Sequence, residues 1–289
     1  MRIVAYRSQS RPNGGIAIRV GKDLVAVEPS VARLPETVEG ILESGSNALE
    51  ALANLAKRGA LLDESTIEFL PTLRRPGKVI CVGLNYADHV AESPYGTPTY
   101  PTVFPRYATS LVGHRAAIIR PQCSEQLDYE GELIAVVGKR GRHIPKEKAL
   151  DWIAGYACFN EASIRDYQFK TPQWAVGKNF DGTGAFGPEF VTSDELPAGA
   201  AGLKIETRLN GQTVQSSNTK YLLFDVATII STLSEAFTFE PGDLIATGTP
   251  EGVGLFRKPP LFMKHGDFVE VEIEGIGVLE NPIRDEVRL

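Results

Sequence analysis

Asp128-Tyr129-Glu130-Gly131-Glu132-Leu133-Ile134-Ala135-Val136-Val137 is the stretch on which the reading of this chain turns. Its unbroken apolar second half reads as a strand buried on both faces. Side chains alternate along a strand, so Glu130 and Glu132 leave the same face, about 7 Å apart along the chain. Two carboxylates held that close repel one another unless a cation neutralises them, and a hard divalent ion is the natural third party. A solvated strand face gives the same spacing. Glu270, Glu272 and Glu274 repeat the alternation on what reads as an exposed edge, so spacing alone leaves both readings open.

Downstream, a helix is expected over 146–154, started by Pro145 and stopped by Gly155, before Tyr156-Ala157-Cys158-Phe159-Asn160-Glu161. Strand–helix–strand connections return the chain beside its start, which would bring Glu161 to Glu130 and Glu132. Three carboxylates favour Mg²⁺, Mn²⁺ or Ca²⁺ over zinc. The alternative pairs Glu161 with Arg165 one helical turn later. Upstream, His89 and Glu92 sit three apart on a helical turn, either as a surface ion pair or as a base whose imidazole a carboxylate orients. The irregular segment 93–101 that follows reads as a lid. Lys178 lies among glycines, either reaching an anionic substrate or standing on the surface. The glycine-rich 245–254 precedes no helix, which suits a close-packed turn whose backbone cradles a carboxylate better than a phosphate loop.

The rest of the chain bounds these readings. It has 289 residues, 43% hydrophobic and 23% charged, with net charge −6. That is globular composition and a poor electrostatic match for nucleic acid or anionic lipid. Residues 1–72 read as a small α/β unit: strands Ile16-Ala17-Ile18-Arg19-Val20 and Leu24-Val25-Ala26-Val27, then a helix through Leu49, Leu52 and Leu55 stopped near Gly59. Residues 73–289 form the second unit, with strands at 78–82, 133–137 and 269–273. A hairpin turns at Asn210-Gly211, and a helix carries Val226, Ile229, Ile230, Leu233 and Phe237 on one face. The class is α+β with β dominant. Cys81, Cys123 and Cys158 form no C-x-x-C pair, no run approaches the roughly 18 apolar residues of a membrane span, and the opening residues lack a signal sequence. A cytoplasmic protein is expected.

Taken in order, Gly83-Leu84-Asn85-Tyr86-Ala87-Asp88-His89, Asp128-Tyr129-Glu130-Gly131-Glu132-Leu133, Gly155-Tyr156, Ser163-Ile164-Arg165-Asp166-Tyr167-Gln168, Gly177-Lys178-Asn179-Phe180, Gly242-Asp243 and 247–254 resemble the fumarylacetoacetate hydrolase superfamily over about residues 76–289. The resemblance implies a mixed β-roll or sandwich with flanking helices, a homodimer, and Mg²⁺ or Mn²⁺ held by Glu130, Glu132 and Glu161. It gives His89, Glu92 and Lys178 catalytic roles, and places Arg165, Gln168 and Thr249 against substrate. Two departures stand out: Glu161 occupies a position where most members carry Asp, and Arg106-Tyr107-Ala108-Thr109-Ser110-Leu111-Val112-Gly113 stands where many small relatives have a Lys-Pro-Ser/Thr segment. The implied activity is metal-dependent hydrolysis of a C–C bond in a 2,4-diketo acid of the acylpyruvate or fumarylpyruvate type, through a pyruvate enolate. Oxaloacetate decarboxylation and 2-hydroxydienoate isomerisation or hydration are alternatives on the same site. A non-catalytic keto-acid-binding protein is the alternative of another class.

Overall fold

The computed structural model describes residues 1–287; positions 288 and 289 of the expected second unit lie outside them. Strand β1 (Arg2–Arg7) is followed by β2 (Gly15–Val20), β3 (Asp23–Val27), helix α1 (Val38–Glu43) and helix α2 (Ser46–Ala56). Then come β4 (Val79–Gly83), α3 (Ala87–Glu92), β5 (Thr102–Arg106), β6 (Gly131–Val137) and β7 (Ile153–Glu161). Two one-turn helices, α4 (Arg165–Gln168) and α5 (Ala175–Lys178), precede β8 (Gly184–Thr192). The chain ends through β9 (Lys204–Leu209), β10 (Gln212–Asn218), α6 (Val226–Ser234), β11 (Leu244–Ala246), β12 (Phe268–Ile273) and β13 (Gly277–Asp285). No described helix is long and apolar enough to cross a membrane.

The strands form a 12-stranded sheet whose central path runs β3-β2-β1-β8-β7-β6-β11-β4-β5, and a five-stranded sheet running β10-β9-β12-β13 to a short strand at Ile118–Arg120. The expected boundary at residue 72 falls between β1–β3 and β4, yet the first unit is no detached satellite. Strand β1 pairs with β8 and extends the main sheet.

Strand β6 explains the packing. Leu133, Ala135 and Val137 face the five-stranded sheet and α6, in a core with Ile205, Val271, Ile273, Ile229 and Leu233. Ile134 and Val136 face the other way, into a core shared with Ile41, Leu42 and Leu52 of α1 and α2. Burial on both faces is why the run has no polar alternation. Parity then places Glu130 and Glu132 on the face of Ile134 and Val136. The same holds for Glu161 on β7, which shares the face of Ala157 and Phe159.

Three expectations are corrected. Residues 146–152 form a 3₁₀ helix, and β7 begins at Ile153, so Gly155 lies inside a strand and is not a helix stop. Glu270 and Glu272 sit on β12, which pairs on both sides, and they close on Arg208; a cation does neutralise them, but it is a side chain. Helix α6 ends at Ser234, short of Phe237. The site-bearing connection does return the chain, as an antiparallel β6–β7 pair.

A Cβ at Gly155 would lie 2.1 Å from the Val191 carbonyl oxygen and 2.7 Å from the Phe190 ring. Gly155→Ala is therefore expected to destabilise the protein by about 1–3 kcal/mol, as overpacking does. Chemical denaturation measures this, and a change of a few tenths would contradict the strand placement.

Candidate active site

Strands β6 and β7 pair with Gly131 opposite Asn160, so Glu130 and Glu161 meet across the ladder, where the Glu161 amide donates to the Glu130 carbonyl at 2.9 Å. Carboxylate oxygens of Glu130, Glu132 and Glu161 all lie within 4.8 Å of one another, and all three residues are buried. The solvated-face reading therefore fails for this pair.

Glu130 is the most heavily paired. Lys178 Nζ lies 2.8 Å from Oε2 and an Arg165 Nη1 lies 2.6 Å from Oε1. Burial pushes its carboxyl up, but Lys178 and Arg165 outweigh that and hold it at about 2. Glu132 is the opposite case. Burial and then the like charges of Glu161 and Glu130 push it well above the usual carboxylate range, and its one close donor is the Gly248 amide at 2.9 Å. Glu161 does not pair with Arg165; it has Arg106 Nη1 at 3.5 Å and Lys178 Nζ at 3.7 Å. Buried, all-oxygen, mutually repelling and incompletely neutralised, the triad fits a hard divalent cation. Cys81 stands beside it as an inert thiol, pushed up by burial and then by Glu161 and Glu132.

His89 is buried on α3 and its partner Glu92 is half-buried beside it. His89 Nδ1 lies 2.7 Å from Glu92 Oε1, and Glu92 Oε2 accepts from the Gly252 amide at 2.9 Å. A carboxylate so held accepts from Nδ1–H, which leaves Nε2 as the basic nitrogen. Lys178 is likewise buried, and its Nζ also faces the Phe104 ring at 5.1 Å.

His89, the three carboxylates, Arg165 and Lys178 line one cavity with Gln168, Thr249 and an apolar wall of Tyr95, Phe104, Phe169, Trp174 and Phe256. Tyr95, from the segment read as a lid, packs on Trp174 with ring centroids 5.8 Å apart. Gln168 accepts from Arg165 Nη1 at 2.9 Å, and Arg165 Nη2 is buried without a hydrogen-bond partner among the described residues. The Thr249 hydroxyl donates to the Gly131 carbonyl at 3.0 Å and accepts from Gln215 at 2.8 Å, so it is a structural tie as well as a wall residue.

Sequence reasoning gave no role to four contributors. Asp128 accepts Arg165 Nε at 2.8 Å and the amides of Gly254 and Leu255 at 2.8 and 2.9 Å, fixing the guanidinium. Asn85 ties α3's approach to the Thr247 and Phe224 carbonyls at 2.7 and 3.0 Å. Gln215 and Arg106 are the others. The presence of Asp128 and Asn85 in the quoted motifs was the available signal.

A carboxylate triad and a His–Glu pair over one cavity make this an enzyme's site, on a fold that matches a known class. The family described as fumarylacetoacetate (FAA) hydrolase C-terminal matches residues 78–284, and the chain belongs to it. Oxaloacetate tautomerase Fahd2a, mitochondrial, of Rattus norvegicus is 40% identical over 287 residues, covering 98% of this chain and 91% of its own length. Oxaloacetate tautomerase FAHD2A, mitochondrial, of Homo sapiens is 40% identical over 288 residues with the same coverage. Among solved structures, the fumarylacetoacetate hydrolase of Exiguobacterium antarcticum superposes with a TM-score of 0.86 at 34% identity, over 99% of this chain and 100% of that one.

Glu132 supplies a test of the triad. A carboxyl raised in the folded state binds its proton more tightly there than in the unfolded chain, so the ion-free protein loses stability as pH rises from the usual carboxylate range through the raised value. Glu132→Gln keeps an acceptor for the Gly248 amide and removes the repulsion. It is expected to raise the melting temperature of the ion-free protein while abolishing the thermal shift produced by Mn²⁺. A lower melting temperature with the Mn²⁺ shift intact would refute this.

Proposed function

We propose that this chain enolises 2-oxo acids, and that its reaction is keto–enol tautomerisation of oxaloacetate with Mg²⁺ or Mn²⁺ on Glu130, Glu132 and Glu161. One observation carries the reading: the His89 ring, oriented through Nδ1 by Glu92, stands in the wall of the cavity that the three carboxylates line. The names of the 40% identical relatives support the choice of substrate.

The ion, when bound, supplies positive charge to a 2-oxo carboxylate and to the negative charge of its enolate. His89 Nε2 takes the proton as the C3–H bond breaks; that electron pair forms the C2=C3 double bond, the C2=O π pair moves onto the 2-oxo oxygen, and that oxygen then receives the proton. Glu92 stabilises the imidazolium that forms in between. The ammonium of Lys178 adds charge on the same side of the cavity, fixed against Glu130. Arg165, locked by Asp128 and with Nη2 uncommitted, and Gln168 offer donors to a carboxylate or carbonyl. The apolar wall, with Tyr95 packed on Trp174, flanks the cavity that these polar groups line.

A second reading keeps the hydrolysis of acylpyruvates. It uses the same His89–Glu92 pair to activate water and is supported by likeness to the Exiguobacterium enzyme. We also read the chain as a homodimer, since Tyr100, Val103 and Tyr107 are exposed on and beside edge strand β5; a monomeric sedimentation coefficient at micromolar concentration would oppose that.

Ultraviolet absorbance of the oxaloacetate enol follows the main reaction, with pyruvate measured in parallel. The chain is expected to speed ketonisation in Mg²⁺ or Mn²⁺ without releasing pyruvate, and His89→Gln to lower kcat/KM by about 10²–10⁴-fold. Pyruvate release from oxaloacetate, or a fully active His89→Gln, would contradict it. Turnover of acetylpyruvate alone would select the second reading.

A further inference from the structure

Arg106 and Glu161, the residues at which the sequence departs from the pattern its resemblance implies, meet in space. Arg106, at the end of β5, and Glu161, at the end of β7, face each other in full burial, with Nη1 3.5 Å from Oε1. We propose that Arg106 is a positioning residue for Glu161, and that the two side chains form one compensated pair fitting the longer carboxylate into the triad. The proposal rests on reading the triad as a cation site.

The guanidinium is fixed before it reaches Glu161. Nε donates to Ser110 Oγ at 3.0 Å, and Nη2 donates to Thr183 Oγ1 at 2.6 Å and to the Ala162 carbonyl at 3.2 Å. Its carbon stands 5.7 Å from the Phe159 ring centroid. Gly184 leaves the room it needs, since a Cβ there would lie 2.7 Å from Nε. Only Nη1 points at the triad. Glu161 brings one more rotatable bond than Asp, and with it more rotamers that miss the ion. A charged donor held on three other partners selects among those rotamers, yet at 3.5 Å it leaves the carboxylate oxygens available. A lysine has no fork with which to make these contacts together.

Mn²⁺ titrations followed by the electron paramagnetic resonance of the free ion test this without reference to turnover. Four proteins are compared: the unaltered chain, Arg106→Lys, Glu161→Asp and the double variant. Each single change is expected to weaken Mn²⁺ binding about 10- to 100-fold, the usual effect of losing a partner of a metal ligand. The double variant should return to within about threefold of the unaltered chain. Effects that multiply in the double variant, or an Arg106→Lys protein that binds normally, would overturn the pairing. Should Arg106→Lys not fold, Thr183→Val takes its place: it frees one anchor and should weaken Mn²⁺ about threefold or more, and unchanged binding there overturns the proposal. An unaltered chain that takes up no Mn²⁺ overturns both this pairing and the cation site. Tight binding with multiplying variants overturns the pairing alone.

Discussion

The glycine-rich turn after β11 holds the site together through its own backbone. Amide groups of Gly248, Gly252 and Gly254 donate to Glu132, Glu92 and Asp128, at 2.9, 2.9 and 2.8 Å. Those three carboxylates belong to the triad, to the His89 pair and to the anchor of Arg165, so one turn sets the relative position of all three. Positive φ at Gly248 and Gly252, +103° and +97°, aims successive amides inward in a way that residues with a Cβ rarely adopt. A Cβ at Gly254 would lie 1.8 Å from the Leu261 carbonyl oxygen and 2.6 Å from Asp128 Oδ1. The turn closes on protein carboxylates where a phosphate-binding loop would close on a ligand.

Charge explains what this scaffold is for. Buried Asp128, Glu130, Glu132 and Glu161 are set against the buried cations Arg106, Arg165 and Lys178, so the carboxylates outnumber the cations. The excess falls on Glu132 and Glu161, because Glu130 takes the close contacts of both Lys178 and Arg165. Burial and the like charges of Glu161 and Glu130 push the Glu132 carboxyl upward and favour its protonated form. Sheet geometry makes the arrangement durable: the same strand faces that carry the carboxylates carry Ile134, Val136, Ala157 and Phe159 into the core a few residues away.

Periodicity made much of this legible. Two-residue alternation put Glu130 and Glu132 on one face, and the unbroken run at 133–137 announced a strand covered on both sides. The spacing of His89 and Glu92 announced a side-chain pair. What periodicity cannot carry is the identity of distant partners. Glu270 and Glu272 have the same spacing as the triad's pair, but Arg208, sixty-odd residues earlier on the neighbouring strand, closes on them. Gly155 looked like a helix stop because the constraint on it, the Val191 carbonyl, lies across a ladder. Arg165 is within one helical turn of Glu161 in sequence, yet Asp128 captures it from another strand. Arg106 and Glu161 are each unremarkable in sequence as partners; their contact exists only because β5 and β7 end on the same side of the main sheet.

In the proposed reaction Glu130, Glu132 and Glu161 hold a divalent cation that presents a 2-oxo acid to His89. A crystal structure with Mn²⁺ and oxalate, an unreactive mimic of the chelating end of such a substrate, tests it most directly. An anomalous manganese peak bonded to all three carboxylates is expected, with oxalate chelating it inside the cavity beside His89. Manganese bound elsewhere, or oxalate seated on Arg165 and Lys178 with the triad empty, would contradict it.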